Sequence, residues 1–264
     1  MNHPTAKRAI IGHSVDGRAI ELWVTNAAVA RPRTLIIGGL HGDEMATITL
    51  LETFLTRLPS SASVAILPLA NPDGFERRTR TNARGVDLNR NCDFNWRSDS
   101  EEPSGPAPWS EPESCALRDF ILNWRPAKIV SLHWALAEVE ADGHHSAALA
   151  TAMWDAMDDA SRQPYRLRIP DPLRGQQHGE IARVECPGSF GQWCGYSLEH
   201  SDGSQPAMVT LELPADPEAA RPAELPTDHL ATLHARYARD AAGYLRAVES
   251  GVHAMLHASC EYRG

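Results

Sequence analysis

The chain has 264 residues, of which 42% are hydrophobic and 22% charged, with a formal net charge of −9. This is globular composition, and the acidic balance argues against nucleic acid as a main partner, because phosphate contacts need a basic surface. No apolar run approaches the roughly 18 residues of a membrane span, no long apolar stretch follows the first basic residues, and the five scattered cysteines make no disulfide framework, so the expectation is a cytoplasmic protein without a membrane partner.

Short apolar runs alternate with helical patterns. Thr34–Gly39 (TLIIGG) reads as a buried strand, and a helix follows over about Met45–Leu58. Ser63–Leu69 is the next strand. Asp99–Trp109 is polar and rich in proline and glycine, hence a loop. Ser110–Glu113 has the spacing of a capping box with proline in the first turn, which predicts a helix to about Asn123. Lys128–His133 is a strand, Ala147–Ala160 a helix, Arg162–Gly179 a loop, Asp202–Pro206 another loop, Ala207–Leu213 a strand, and His229–Ser250 an amphipathic helix. This alternation implies an α/β fold, a sheet flanked by helices on both faces, and no linker divides residues 1–264 into more than one domain.

Catalytic groups of α/β sheets collect at strand ends. The run TLIIGGL delivers His41-Gly42-Asp43-Glu44, KIVSLH delivers His133, and MVTLEL delivers Glu212. Two histidines and a carboxylate form the ligand set of a catalytic zinc with one position open for water. Each piece alone has a plainer reading: His41 as a cap or core histidine, His133 as a satisfied histidine at a strand end. Glu212 within a run of valine and leucine must be paired, metal-bound or catalytic.

Between these pieces stand Asn71-Pro72-Asp73-Gly74-Phe75, then Arg77-Arg78-Thr79-Arg80, then Gly85-Val86-Asp87-Leu88-Asn89-Arg90-Asn91. Taken singly, they read as a turn after a strand and a solvated basic face. In this order, between the His-x-x-Glu pair and a later histidine, the chain resembles the zinc carboxypeptidase family of carboxypeptidase A-like metallopeptidases, from about Gly12 to Pro214. The resemblance implies a single domain with a mixed twisted sheet. It also implies one zinc held by His41, Glu44 and His133, and Glu212 as general base. Asp87 then bonds a zinc histidine, Asn89 and Arg90 grip the substrate's free carboxylate, and Arg80, or alternatively Arg77, holds the scissile carbonyl oxygen.

A narrower branch, the bacterial murein tripeptide amidases, is similar in His41–Glu44, Asn82–Asn91, Asn95-Trp96, Ser110–Glu113 and Pro187–Cys194. It implies a cytoplasmic amidase that cuts the γ-D-glutamyl–diaminopimelate bond of a small muropeptide. The competing readings are a conventional carboxypeptidase, a deacylase of N-acyl amino acids, and a non-catalytic zinc-binding domain, the last disfavoured by the intact Glu212. The chain departs from the digestive enzymes at Asp43, where they have arginine, and at Gly195, where they have a mobile tyrosine, with Tyr196 one residue away. Cys92-Asp93 follow the Asn-Arg-Asn triplet, where the branch has an aromatic residue and a proline. Glu199–Pro206 is longer than in the branch and is expected near the specificity pocket, with Asp202 as a candidate residue. His144-His145 reads as a surface loop, and Cys186 and Cys194 as free thiols.

Overall fold

The computed structural model describes residues 6–25, 33–55, 63–143, 145–157, 166–169 and 186–214. In chain order these give β1 (Ala6–His13), β2 (Ala19–Thr25), β3 (Thr34–Ile37), α1 (Met45–Leu55), β4 (Val64–Leu67) and α2 (Pro72–Arg77). A 3₁₀ turn (Leu88–Arg90) leads to α3 (Pro112–Trp124), β5 (Lys128–Asp142), α4 (Ala147–Ala156) and β6 (Arg166–Arg168). The short α5 (Phe190–Gln192) runs into a π turn (Trp193–Ser197) and β7 (Ala207–Pro214) closes the series.

The sheet is mixed. β1 and β2 form an antiparallel hairpin, β2 pairs antiparallel with β4, and β4, β3 and β5 run parallel. From Lys128↔Ala207 to Trp134↔Leu213, β5 and β7 run in step. The partners then reverse, from Glu138↔Glu212 to Asp142↔Met208. β5 therefore doubles back at Ala135–Ala137, where Ala137 has φ +52°, and β7 lies between its two halves. Leu136 at the tip of the bend is exposed. The returning half pairs with β6 through Glu138↔Arg166.

Alternation along the strands loads both faces. Ile36, Val130, Leu132 and Val209 pack with α1 and α4 through Leu50, Leu51, Phe54, Leu149 and Met153. Leu35, Ile37, Ile129 and Met208 pack on the other face with Leu117, Ile121, Phe190 and Trp193. Helices thus cover both faces, as expected.

Several expectations change. β1 and β2 are not anticipated: β1 is an edge strand with Lys7, Arg8 and Ile10 exposed, so its pattern carries no buried face, whereas β2 turns Ile20 and Leu22 inward. The capping box does not form. Glu111, not Ser110, is the N-cap of α3 and makes no side-chain cap bond, because Glu111 and Glu113 both accept from Asn82 Nδ2, at 2.8 and 3.2 Å. The segment Arg162–Gly179, expected as loop, contains β6. The loop around Asp202 lies at the wrong end of the sheet for a specificity pocket. His200 Nε2 reaches Pro126 O and Ala207 N donates to Ala127 O, so this loop flanks the starts of β5 and β7, about 17 Å along the strand from Glu212. Residues 56–58 of the first expected helix, 158–160 of the third, and the helix His229–Ser250 lie outside the described residues.

Candidate active site

The parallel strands β3, β5 and β7 deliver their C-terminal ends to one place. After β3 the chain turns through Gly38 and Gly39 to His41. Gly42 permits the turn to press on the start of α2: a Cβ there would lie 2.0 Å from the backbone carbon of Gly74. α2 is itself fixed by Asn71, whose Oδ1 accepts from Gly74 N at 2.8 Å and whose Nδ2 donates to Leu40 O at 3.3 Å. The Asn-Pro-Asp-Gly segment is therefore more than a turn. It is the capped start of a helix that holds the histidine loop.

His41, Glu44 and His133 are all buried, and one ligand atom from each lies within 4.8 Å of the others. Both imidazoles turn Nδ1 inward, 3.2 Å apart. Glu44 spans them, with Oε1 at 2.7 Å from His41 Nδ1 and Oε2 at 3.2 Å from His133 Nδ1. Glu44 Oε2 is buried and makes no hydrogen bond. His133 Nδ1 faces it at 3.2 Å without hydrogen-bond geometry, so ligand lone pairs converge here that a shared cation would satisfy. Two inward nitrogens and this oxygen are the donor set that suits zinc, so these residues fit the metal the family uses.

The outer nitrogens have partners. His41 Nε2 lies 3.2 Å from Asp87 Oδ1, the expected orienting carboxylate. His133 Nε2 lies 3.1 Å from Ser131 Oγ, a partner the sequence reading did not single out. The signal was present, because residues two apart on a strand share a face. Burial alone would lower the His41 imidazole, but Glu44 and Asp87 push it up to about 9. Burial would raise Glu44, yet His133 and His41 bring it down to about 2. Asp87 is likewise opposed by burial and held well below the usual range by His41, Arg80 and Arg90.

Of the two candidate arginines, Arg80 reaches the site. Its Nε donates to Asp87 Oδ2 at 2.8 Å and its Nη1 lies 3.3 Å from His41 Nδ1. Arg77 turns away to Asp16 (2.8 Å) and Ala83 O (2.9 Å). Asn89 and Arg90 stand on the 3₁₀ turn capped by Asp87, whose Oδ1 accepts from Asn89 N at 2.8 Å. Asn89 Oδ1 accepts from Phe190 N at 2.9 Å, tying this turn to α5. Arg90 Nη1 donates to Asn89 O, and its Nε pairs with Glu102.

Glu212 is the register partner of His133. Its Oε2 is buried without a hydrogen bond, while the backbone N–H of Leu136 meets the carboxylate. Burial raises its pKa and His133 opposes the rise. Gly195 leaves no room for a side chain, since a Cβ there would lie 1.8 Å from Asp142 O. Tyr196 stacks on Phe94, with ring centroids 5.8 Å apart. Asp43 is half-buried beside Glu44, and burial raises its carboxyl. Cys186 and Cys194 are free thiols, His145 is exposed, and His144 lies outside the described residues. Among the described residues, no helix is long and apolar enough to cross a membrane.

These features define a metallohydrolase site of carboxypeptidase type. The zinc carboxypeptidase family model matches residues 1–139, and the chain belongs to that family. It is 34% identical over 199 residues to murein peptide amidase A of Escherichia coli strain K12, covering 69% of this chain and 74% of that protein. The crystal structure of the murein-tripeptide amidase from Escherichia coli O157 is similar at 28% identity and a TM-score of 0.57, over 90% of this chain and 91% of that one. Carboxypeptidase A from Helicoverpa armigera shares the fold at 20% identity and a TM-score of 0.68, over 97% of this chain and 70% of that one. The chain is thus an enzyme of the metallopeptidase or amidase class.

Proposed function

We propose that this chain is a cytoplasmic amidase that cleaves the γ-D-glutamyl–meso-diaminopimelate bond of murein tripeptide during cell-wall recycling, with one catalytic domain over residues 1–264. The observation that carries the hydrolase chemistry is the inward convergence of His41 Nδ1, His133 Nδ1 and the Glu44 carboxylate beside Glu212. The substrate is supported by the amidases the chain resembles.

One zinc per chain would be held by His41, Glu44 and His133. When bound, it supplies Lewis acidity and brings the pKa of water toward neutrality. Asp87 and Ser131 hold the two imidazoles in orientation from behind. Glu212 takes the proton of the attacking water and passes it to the leaving amine, and its raised pKa suits both steps. Arg80 steadies the oxyanion. Asn89 and Arg90 hold the α-carboxylate of the departing residue, which sets the scissile amide in place.

The test is incubation of the purified, zinc-loaded enzyme with L-Ala-γ-D-Glu-meso-diaminopimelate, its lysine analogue, and a blocked peptide ending in phenylalanine, with products read by mass spectrometry. Release of diaminopimelate, with much weaker turnover of the lysine analogue, is expected, because a pocket built for the distal amino-acid head leaves charged groups unpaired around anything else. An intact tripeptide beside a cleaved phenylalanine substrate would assign the chain to the conventional carboxypeptidases.

A further inference from the structure

Arg90 already carries a carboxylate. Its Nε pairs with Glu102 Oε2, and its Nη1 is occupied by Asn89 O at 2.8 Å. The two partners differ in exposure: the Arg90 side chain is 14% exposed and that of Glu102 45%. Glu102 stands on the proline- and glycine-rich loop 99–109, and its charge also acts on Arg80 and on the Cys186 thiol. One glutamate therefore pairs with Arg90 and its charge is also felt at Arg80, the two arginines that the proposed function assigns to substrate oxygens.

We propose that Glu102 is a binding residue that sets the affinity of Arg90 for carboxylates, a resident carboxylate that occupies Arg90 until the α-carboxylate of the substrate displaces it. The inference rests on the reading of Arg90 given above. The difference in exposure sets which partner moves. Glu102 can swing into water and keep its charge solvated, whereas the mostly buried Arg90 has no such exit without stranding a cation. Every incoming anion then meets a guanidinium whose charge is already paired. A small carboxylate anchored at one point only exchanges one pair for another and gains little. A substrate that also reaches Asn89 and the scissile site keeps its surplus contacts. Glu102 thus lowers the affinity of every carboxylate at Arg90 by a common factor, which keeps simple anions and the released amino acid at low occupancy of a cationic pocket.

The experiment compares wild type with Glu102→Gln, which removes the charge and keeps the shape, and with Glu102→Asp, which keeps the charge on a shorter arm. The loss of competition is felt equally in the bound substrate and in the transition state. Glu102→Gln should therefore lower KM for the tripeptide by about fivefold, the upper end for a half-exposed ion pair, with kcat unchanged. The inhibition constant of acetate and the Kd of free meso-diaminopimelate measured by calorimetry should fall by a similar factor, with Glu102→Asp in between. A KM that is unchanged or raised in Glu102→Gln, while wild type still prefers the α-carboxylate over its α-carboxamide, overturns this inference alone. A wild type that treats the carboxylate and the carboxamide alike overturns it together with the assigned role of Arg90.

Discussion

Glu212 enters the site with one carboxylate oxygen uncommitted and with the Leu136 N–H on the carboxylate, beside the register partner His133. It is no part of the compact group of His41, Glu44 and His133. Glu212→Gln keeps the volume and removes the proton acceptor, so it should retain zinc and fold while kcat/KM falls by about a thousandfold or more. Zinc analysis, circular dichroism and steady-state kinetics on one preparation check this, and near-normal turnover would remove Glu212 from the chemistry. A second carboxyl costs stability as pH rises. Burial lifts Asp142 to about 8, with Glu140 adding to the rise and the Thr210 hydroxyl, which donates to Oδ2 at 2.5 Å, opposing it. Between about pH 4, the ordinary range for an unfolded aspartate, and pH 8, the folded chain holds a proton that the unfolded chain has released. Stability therefore falls as pH rises through that window. Asp142→Asn should raise Tm more at pH 8 than at pH 5, on a scale of about 2–4 °C per kcal/mol. Equal shifts at both pH values would show that Asp142 titrates normally in the folded protein.

At the scale of elements, α2 and the turn before Glu44 are locked by backbone contact. The Gly42–Gly74 approach has no flexible side chain to give way, so Gly42→Ala forces the histidine loop off α2. We expect it to cost about 1–3 kcal/mol of stability, as overpacking does, and to weaken zinc retention because His41 moves with its neighbour. Thermal melting and metal titration measure the two effects, and a variant with wild-type melting and zinc affinity would show that the contact relaxes freely. The same close packing explains which features could be read in advance. His41, Glu44, His133 and Glu212 were legible because each ends an apolar run whose burial dictates a strand, and strand ends are where this topology gathers its chemistry. Asp87, Asn89, Arg90 and Arg80 were legible only through the family resemblance, since a loop of polar residues has no period of its own. β1 was hidden by its exposure at the sheet edge. The capping box misled because Glu111 and Glu113 are drawn into a buried network with Asn82, a tertiary demand that local spacing does not reveal. The Asp202 loop was misplaced although chain order held the signal: it directly precedes the strand that delivers Glu212, so it flanks the opposite end of that strand.

For the molecule as a whole, the candidate metal centre joins segments far apart in the chain. His41 and Glu44 follow β3, His133 ends the first half of β5, and Asp87, behind His41, precedes the 3₁₀ turn that Phe190 of α5 also grips. β3 and β5 are neighbours at the centre of the sheet, and the two apolar clusters pack on either side of them. An ion that binds the folded chain and not the unfolded one stabilises by RT ln(1 + [L]/Kd), about 4 kcal/mol at a thousandfold excess over Kd. In the metal-free chain the Glu44 carboxylate is offset by His41 and His133, so the ion contributes its binding free energy and no relief of a stranded charge. Chelation should therefore lower Tm by about 8–16 °C, and added zinc should restore both Tm and activity. His41→Ala should start from the lower Tm and respond little to chelator. A chelated wild type that melts at the holoenzyme temperature while losing its zinc would show that the sheet and its two clusters hold the site without help from the ion, and that the metal contributes to chemistry but not to folding.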